Sequence, residues 1–156
     1  MQCAIYQNQC YRINASNGKI RVLSPEKKQG FVNVIVEGVK QDNLFVKEVS
    51  EDDLDFAYRT KYFVDYQGQT FEVLADIGKR LLGQGKIQLY TEDRETARRL
   101  GFEPYDNGSF HKGIQLDEVD RITEIKIPIL RFKGMESTRT IIEKDRIMDY
   151  IMNLVE

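Results

Sequence analysis

Apolar residues in the first fifty positions come in short bursts: Cys3-Ala4-Ile5-Tyr6, Tyr11-Arg12-Ile13, Ile20-Arg21-Val22-Leu23, Phe31 to Val36, and Leu44-Phe45-Val46. Each burst is strand-sized, and turn-forming groups lie between several of them, at Ser16-Asn17-Gly18, Ser24-Pro25 and Gln41-Asp42-Asn43. This rhythm predicts an antiparallel meander of about five strands. Pairing residues 2–7 with 10–14 about Asn8-Gln9 places Cys10 opposite Gln7 and Cys3 opposite Asn14, so the two thiols are not expected to be cross-strand neighbours.

Ser50-Glu51-Asp52-Asp53 reads as a capping box, with Ser50 closing the first helical turn and Asp53 at its third position, where negative charge suits the helix dipole. Beyond it Tyr58, Thr60, Tyr62, Val64 and Tyr66 alternate with Arg59, Lys61, Phe63 and Asp65, then come Gln67-Gly68 and Thr70 to Leu74. That is a long hairpin with one aromatic face. Residues 76–85 have loop composition, and Lys86 to Tyr90 reads as a strand. Thr91-Glu92-Asp93 opens a short helix through Leu100, which Gly101 closes. Asn107-Gly108 marks a hairpin turn because both residues tolerate positive φ. Leu116 to Asp120 forms a capped turn, and Ile125, Ile127 and Ile129 alternate with Pro128 on the other face, which points to an edge strand or a bulge. Ser137 is expected to cap a C-terminal amphipathic helix with Ile141, Ile142, Met148, Ile151, Met152 and Val155 along one stripe. The fold class expected is therefore α+β: an antiparallel β-rich meander with hairpins, short helices and a C-terminal helix packed on the sheet.

The 156 residues suit a single domain over 1–156, with residues 1–50 a candidate N-terminal β subdomain. Hydrophobic residues at 41% and charged residues at 31% fit a globular chain and exclude a disordered one. Net charge is −2, unevenly spread: residues 1–50 hold seven Lys/Arg and four Asp/Glu, against sixteen and twenty-one in 51–156. Binding through phosphate contacts needs concentrated basic charge, so nucleic acid is not the expected main ligand. No transmembrane stretch occurs and no basic start precedes an apolar run, so the expectation is a cytoplasmic protein with reduced Cys3 and Cys10 and no membrane partner.

Few residues are of a type and spacing that suit catalysis. His111 is the single histidine, which removes most metal sites and histidine dyads. Gly83-Gln84-Gly85-Lys86 has the wrong spacing for a phosphate loop, because Lys86 enters a strand without a following Ser/Thr. Glu124-Ile125-Lys126, with Asp106, Asp117 and Asp120 upstream, matches in outline a nuclease site in which two carboxylates hold Mg²⁺ and a lysine activates water. A solvated charge pair on one strand face is the preferred explanation, since no helix flanks the segment as a nuclease fold would want. The acidic run Glu51, Asp52, Asp53 and Asp55 lacks the spacing of a calcium loop, but could steer a basic partner. Neither a metal nor another cofactor is expected. Tyr58, Tyr62 and Tyr66 are core candidates that could also anchor an interface.

Three segments, Tyr58 to Leu74, Thr91 to Phe102 and Asp117 to Ile125, together resemble small bacterial immunity proteins that accompany polymorphic secreted toxins, over residues 44–130. The resemblance implies a protein that neutralises a cognate toxin by masking the toxin's active site, with no catalytic residues of its own, and the acidic run suits a basic toxin. The mildly basic N-terminal meander departs from that pattern. The expected contacts are Asp52, Asp53, Asp55, Tyr58, Tyr62 and Tyr66. The alternatives are a metal-dependent nuclease using Asp117 or Asp120, Glu124 and Lys126, and a phage-associated assembly module; oligomeric state is left open.

Overall fold

The computed structural model describes residues 1–155, and its chain is α+β with a mostly antiparallel β content and two short helices. It divides into two compact units: residues 1–60 with 126–137 and Val155, and residues 61–125 with 138–154. Each has its own apolar cluster.

The first unit holds β1 (Gln2–Tyr6), β2 (Gln9–Ser16), β3 (Lys19–Ser24), β4 (Val32–Val36), β5 (Val39–Val49) and the opening residues of β6 (Phe56–Tyr66), in the order β4-β5-β3-β2-β1-β6. It is antiparallel but not a simple meander, since β5 pairs with β3 and leaves β4 outermost. Gln41-Asp42-Asn43 lies inside β5, not in a turn. The chain reverses instead at Glu37-Gly38, both at positive φ, where Gly38 carries no side-chain penalty. Alternation buries Ala4, Tyr6, Tyr11, Ile13, Ile20, Val22, Phe45 and Val49 on one face.

The second unit holds the rest of β6, β7 (Gln69–Val73), β8 (Ile87–Thr91), β9 (Glu103–Pro104) and β10 (Phe110–Ile114), in the order β6-β7-β8-β10-β9. The turns at Gln67-Gly68 and Asn107-Gly108 lie where the sequence places them. Helix α1 (Arg94–Leu100) is capped by the Asp93 side chain and ends on Gly101 at φ 76°. The β11 strand (Arg121–Pro128) pairs with both β6 and β12 (Thr138–Glu143), so Pro128 does not mark an edge; it ends the strand, where its missing N–H costs no ladder bond.

The C-terminal segment differs most from expectation. Thr138 to Glu143 is a strand, and helix α2 spans only Ile147–Met152. Thr138, Thr140, Ile141 and Ile142 are β-branched and favour the pleated surface. The predicted stripe therefore splits: Ile142, Ile147 and Ile151 are buried, while Ile141, Met148 and Met152 face outward.

One carboxylate lies within the second core. Glu124 is buried beside Ile122 and accepts a hydrogen bond from the Tyr150 hydroxyl, which also lies 2.8 Å from the Tyr62 hydroxyl. Burial first, then the bond to Glu124, pushes the Tyr150 phenol above its ordinary range and keeps its proton available for donation. A buried carboxylate that loses a donor costs more than a neutral pair that separates. Tyr150→Phe should therefore lower unfolding free energy by about 1–3 kcal/mol, and Tyr62→Phe by about 1 kcal/mol. Urea titration of the two variants checks the order; equal losses would show that the Glu124 bond contributes nothing special.

Candidate functional site

The acidic turn is built as the sequence proposes. Ser50 caps a 3-10 turn over Glu51–Asp53: its hydroxyl accepts the Asp52 N–H at 3.3 Å, and the Asp53 carboxylate accepts the Ser50 N–H at 3.1 Å. Arg131 closes the other end, donating to the carbonyls of Glu51 and Leu54 at 3.4 and 2.6 Å. Buried Leu54 pins the turn to the first core. Asp52, Asp53 and Asp55 are exposed.

The three tyrosines expected beside them as contacts are core residues. Tyr58, Tyr62 and Tyr66 are 8%, 4% and 5% exposed, and each hydroxyl has an internal neighbour: Cys10 Sγ at 3.4 Å, the Tyr150 hydroxyl at 2.8 Å, and Lys112 Nζ at 3.0 Å. Alternation defined the two faces of β6 but not which one meets the core. Buried rings with their polar tips already engaged offer no docking surface.

The residues of the nuclease reading are placed as follows. Glu124 is committed to Tyr150, as above. Asp117 and Asp120 are exposed, and Lys144 bonds the Asp117 carbonyl at 3.1 Å and pairs with Asp120 at 3.8 Å. The Lys126 ammonium lies 4.9 Å above the Tyr58 ring. Among the described residues no group of three or more His, Cys, Asp or Glu is placed to hold a metal ion. His111 is half-buried beside Gln88 and Tyr105, and the glycine loop is held by Arg80, whose guanidinium donates to the carbonyls of Asp76 and Lys86.

Two features of the first unit were not singled out from the sequence. One is the outer hairpin β4–β5. With β4 last in the strand order, Val32, Ile35, Val36 and Val39 are 64%, 67%, 51% and 62% exposed. The cue was the run Val32 to Val39 itself, which has more apolar positions than one face can bury.

The other is a thiol cluster. Strands β1 and β2 turn at Gln7-Asn8, both at positive φ, not at Asn8-Gln9. Cys10 therefore faces Ile5, and Cys3 faces Arg12 on one side and Tyr58 on the other. Cys3 and Cys10 become diagonal neighbours on the face away from the core, in a register different from the one expected. Both are free thiols, Cys3 buried and Cys10 partly open. Cys10 Sγ meets the Tyr58 hydroxyl, and Lys126 sits over that ring.

The charges follow from this packing. The Cys3 hydrogen bond, then that of Tyr58 and the Lys126 charge, outweigh burial and lower the Cys10 thiol to about 6. Its bond to Cys10, then burial, pushes the Cys3 thiol up. Burial and the thiols also raise the Tyr58 phenol, which stays a donor. The pair thus releases its first proton from Cys10, leaving one nucleophilic thiolate beside one protonated thiol.

A family model described as Uncharacterised conserved protein UCP033725 matches residues 2–130. The chain belongs to that family. No curated protein and no solved structure matches it. The matched stretch of this family member contains the thiol cluster, the outer hairpin and the acidic turn. No described helix is long and apolar enough to cross a membrane.

A thiol whose ionisation is lowered reacts with alkylating agents as thiolate, so its rate rises with pH and levels off above the ionisation midpoint. Alkylation of Cys10 by iodoacetamide should rise through a midpoint near pH 6 and be flat by pH 8, with Cys3 protected throughout. Peptide mass mapping across pH checks this. A Cys10 midpoint near the ordinary value of 9.0 would refute it.

Proposed function

We propose that this chain is a non-enzymatic protein-binding module, an immunity protein or antitoxin that neutralises a partner toxin by covering its active site, and that the β4 edge is where it docks. The observation that carries this reading is the exposure of Val32, Ile35, Val36 and Val39 on the hairpin whose strand β4 is outermost in the sheet. Edge strands are ordinarily blunted by charge, proline or bulges because an open edge templates pairing. Here a register irregularity between Asn33 and Ile35 is present, yet the exposed side chains are apolar. An extended segment of a partner can add to such an edge, with main-chain hydrogen bonds giving affinity and side chains giving specificity.

The partner this surface suits is a protein with a basic contact face. Asp52, Asp53 and Asp55 stand in the open at the far end of β5 from the hairpin tip, an eleven-residue strand, so about 35 Å away. At that distance they do not strengthen the apolar contact directly; they steer a positively charged partner during approach. The resemblance of residues 44–130 to immunity proteins supports the same class of partner. Protein masking accounts for these surfaces without assigning a reaction to Glu124 or Lys126.

The test uses the protein encoded by the adjacent open reading frame, titrated calorimetrically and by stopped flow. Ile35→Lys with Val39→Lys should weaken binding at least a hundredfold while leaving unfolding free energy within about 0.5 kcal/mol of the parent, since both sites are exposed. Asp52→Asn with Asp55→Asn should slow association and flatten its salt dependence while barely changing dissociation. Absence of binding by the parent chain, or full binding by the lysine variant, would overturn the proposal.

A further inference from the structure

The thiol cluster has features that the binding function does not use. Cys3 and Cys10 lie on one face of the β1–β2 hairpin, diagonally across one rung, and the register places Tyr58 on the far side of Cys3. The Tyr58 hydroxyl nonetheless reaches Cys10 Sγ at 3.4 Å, so the phenol closes over both sulfurs. Lys126 caps the ring from β11, 4.9 Å from its centroid. The four residues come from three strands besides the central β1, and none belongs to the outer hairpin or the acidic turn.

We propose that Cys3 and Cys10 form a dithiol site that reduces hydrogen peroxide, with Cys10 as the attacking sulfur, Cys3 as the resolving sulfur and Tyr58 as the hydrogen-bond donor that orients Cys10. The division of labour follows from access. Cys10 is partly open to solvent, whereas Cys3 is buried beneath its neighbours and can meet an oxidant only through Cys10. The lowered ionisation of Cys10 agrees with that role, because thiolate is the nucleophile.

The Cys10 thiolate attacks one peroxide oxygen; the S–O bond forms as the O–O bond breaks, and the other oxygen leaves as water after taking a proton. Sulfur is oxidised to sulfenic acid and the peroxide is reduced. The Cys3 sulfur then attacks Cys10 Sγ. The S–S bond forms, the S–O bond breaks, and the hydroxyl leaves as a second water with the Cys3 proton. Two thiols are thus oxidised to one disulfide as one peroxide becomes two waters.

The placement also indicates how long the product lasts. Diagonal Cα atoms in an antiparallel ladder are about 7–8 Å apart, while a disulfide spans at most about 7 Å without moving the backbone. Closing the bond must draw β1 and β2 together, so the disulfide is strained and easily reduced. The site is therefore suited to repeated cycling with a thiol reductant rather than to permanent stapling.

The experiment treats the full chain at neutral pH with a small excess of hydrogen peroxide and follows intact mass and free thiols. The expected result is loss of two hydrogen atoms, disappearance of both thiols, and full recovery with dithiothreitol. Cys3→Ala should stop at a sulfenic acid on Cys10, trapped by dimedone. Cys10→Ala should lose no thiol over the same time, and Tyr58→Phe, which keeps the ring packing, should slow the reaction several-fold. Circular dichroism shows whether each variant is folded, and a variant that is not is replaced by its serine counterpart. Equal reactivity of the two single-cysteine variants, oxygen addition without disulfide in the parent chain, or no reaction at all would overturn the proposal.

Discussion

The outer face of the first unit depends on two residues, Gln7 and Asn8. Both lie at positive φ, so β1 and β2 close on Tyr6 and Gln9. For residues with a side chain this region costs on the order of 1 kcal/mol each. The cost is offset by what the register aligns: Ala4 against Tyr11 on the core face, and Cys3 within one rung of Cys10 on the other. A turn one residue later would keep both faces but slide Cys10 away from Cys3. A turn one residue longer would rotate β2, turning Tyr11 and Ile13 out of the core. The thiol cluster thus exists because the hairpin that packs the core leaves those sulfurs adjacent.

The same alternation governs β6. Tyr58, Tyr62 and Tyr66 are all buried, so the ring hydroxyls are consumed internally by Cys10, Tyr150 and Lys112. Burying a phenol without a partner is costly, and each of the three partners removes that cost. One of these partnerships touches chemistry as well as stability, that of Tyr58 with the Cys10 thiol. Tyr150, which meets Tyr62, in turn donates to the Glu124 carboxylate, so packing decides which titratable groups are constrained.

Much of the local structure was legible because it rests on short-range rules. The Ser50 cap, the turns at Gln67-Gly68 and Asn107-Gly108, and the stop at Gly101 each follow from a few residues whose preferred conformations agree with the fold. Three kinds of feature were not legible. Residues 138–143 match helix and strand periods equally until β-branching and pairing with β11 decide. The turn at Gln7-Asn8 has no glycine to mark it. Whether a face meets core or water, and which distant side chains then converge on it, depends on strands far apart in sequence; Lys126 and Cys10 were unconnected until β6 brought Tyr58 between them.

The proposed docking at the β4 edge combines local and distant terms. Burying four aliphatic side chains that are already partly covered recovers on the order of 5 kcal/mol. Association alone costs roughly 4–15 kcal/mol in lost translational and rotational freedom. The apolar patch therefore cannot hold a partner by itself. The balance must come from backbone pairing along β4, where each hydrogen bond contributes about 1 kcal/mol net, and from further contacts along the partner. A ligand that offered apolar surface without an extended strand would recover only the first of these terms, so the proposed docking at this edge requires an extended protein segment rather than a small hydrophobic molecule.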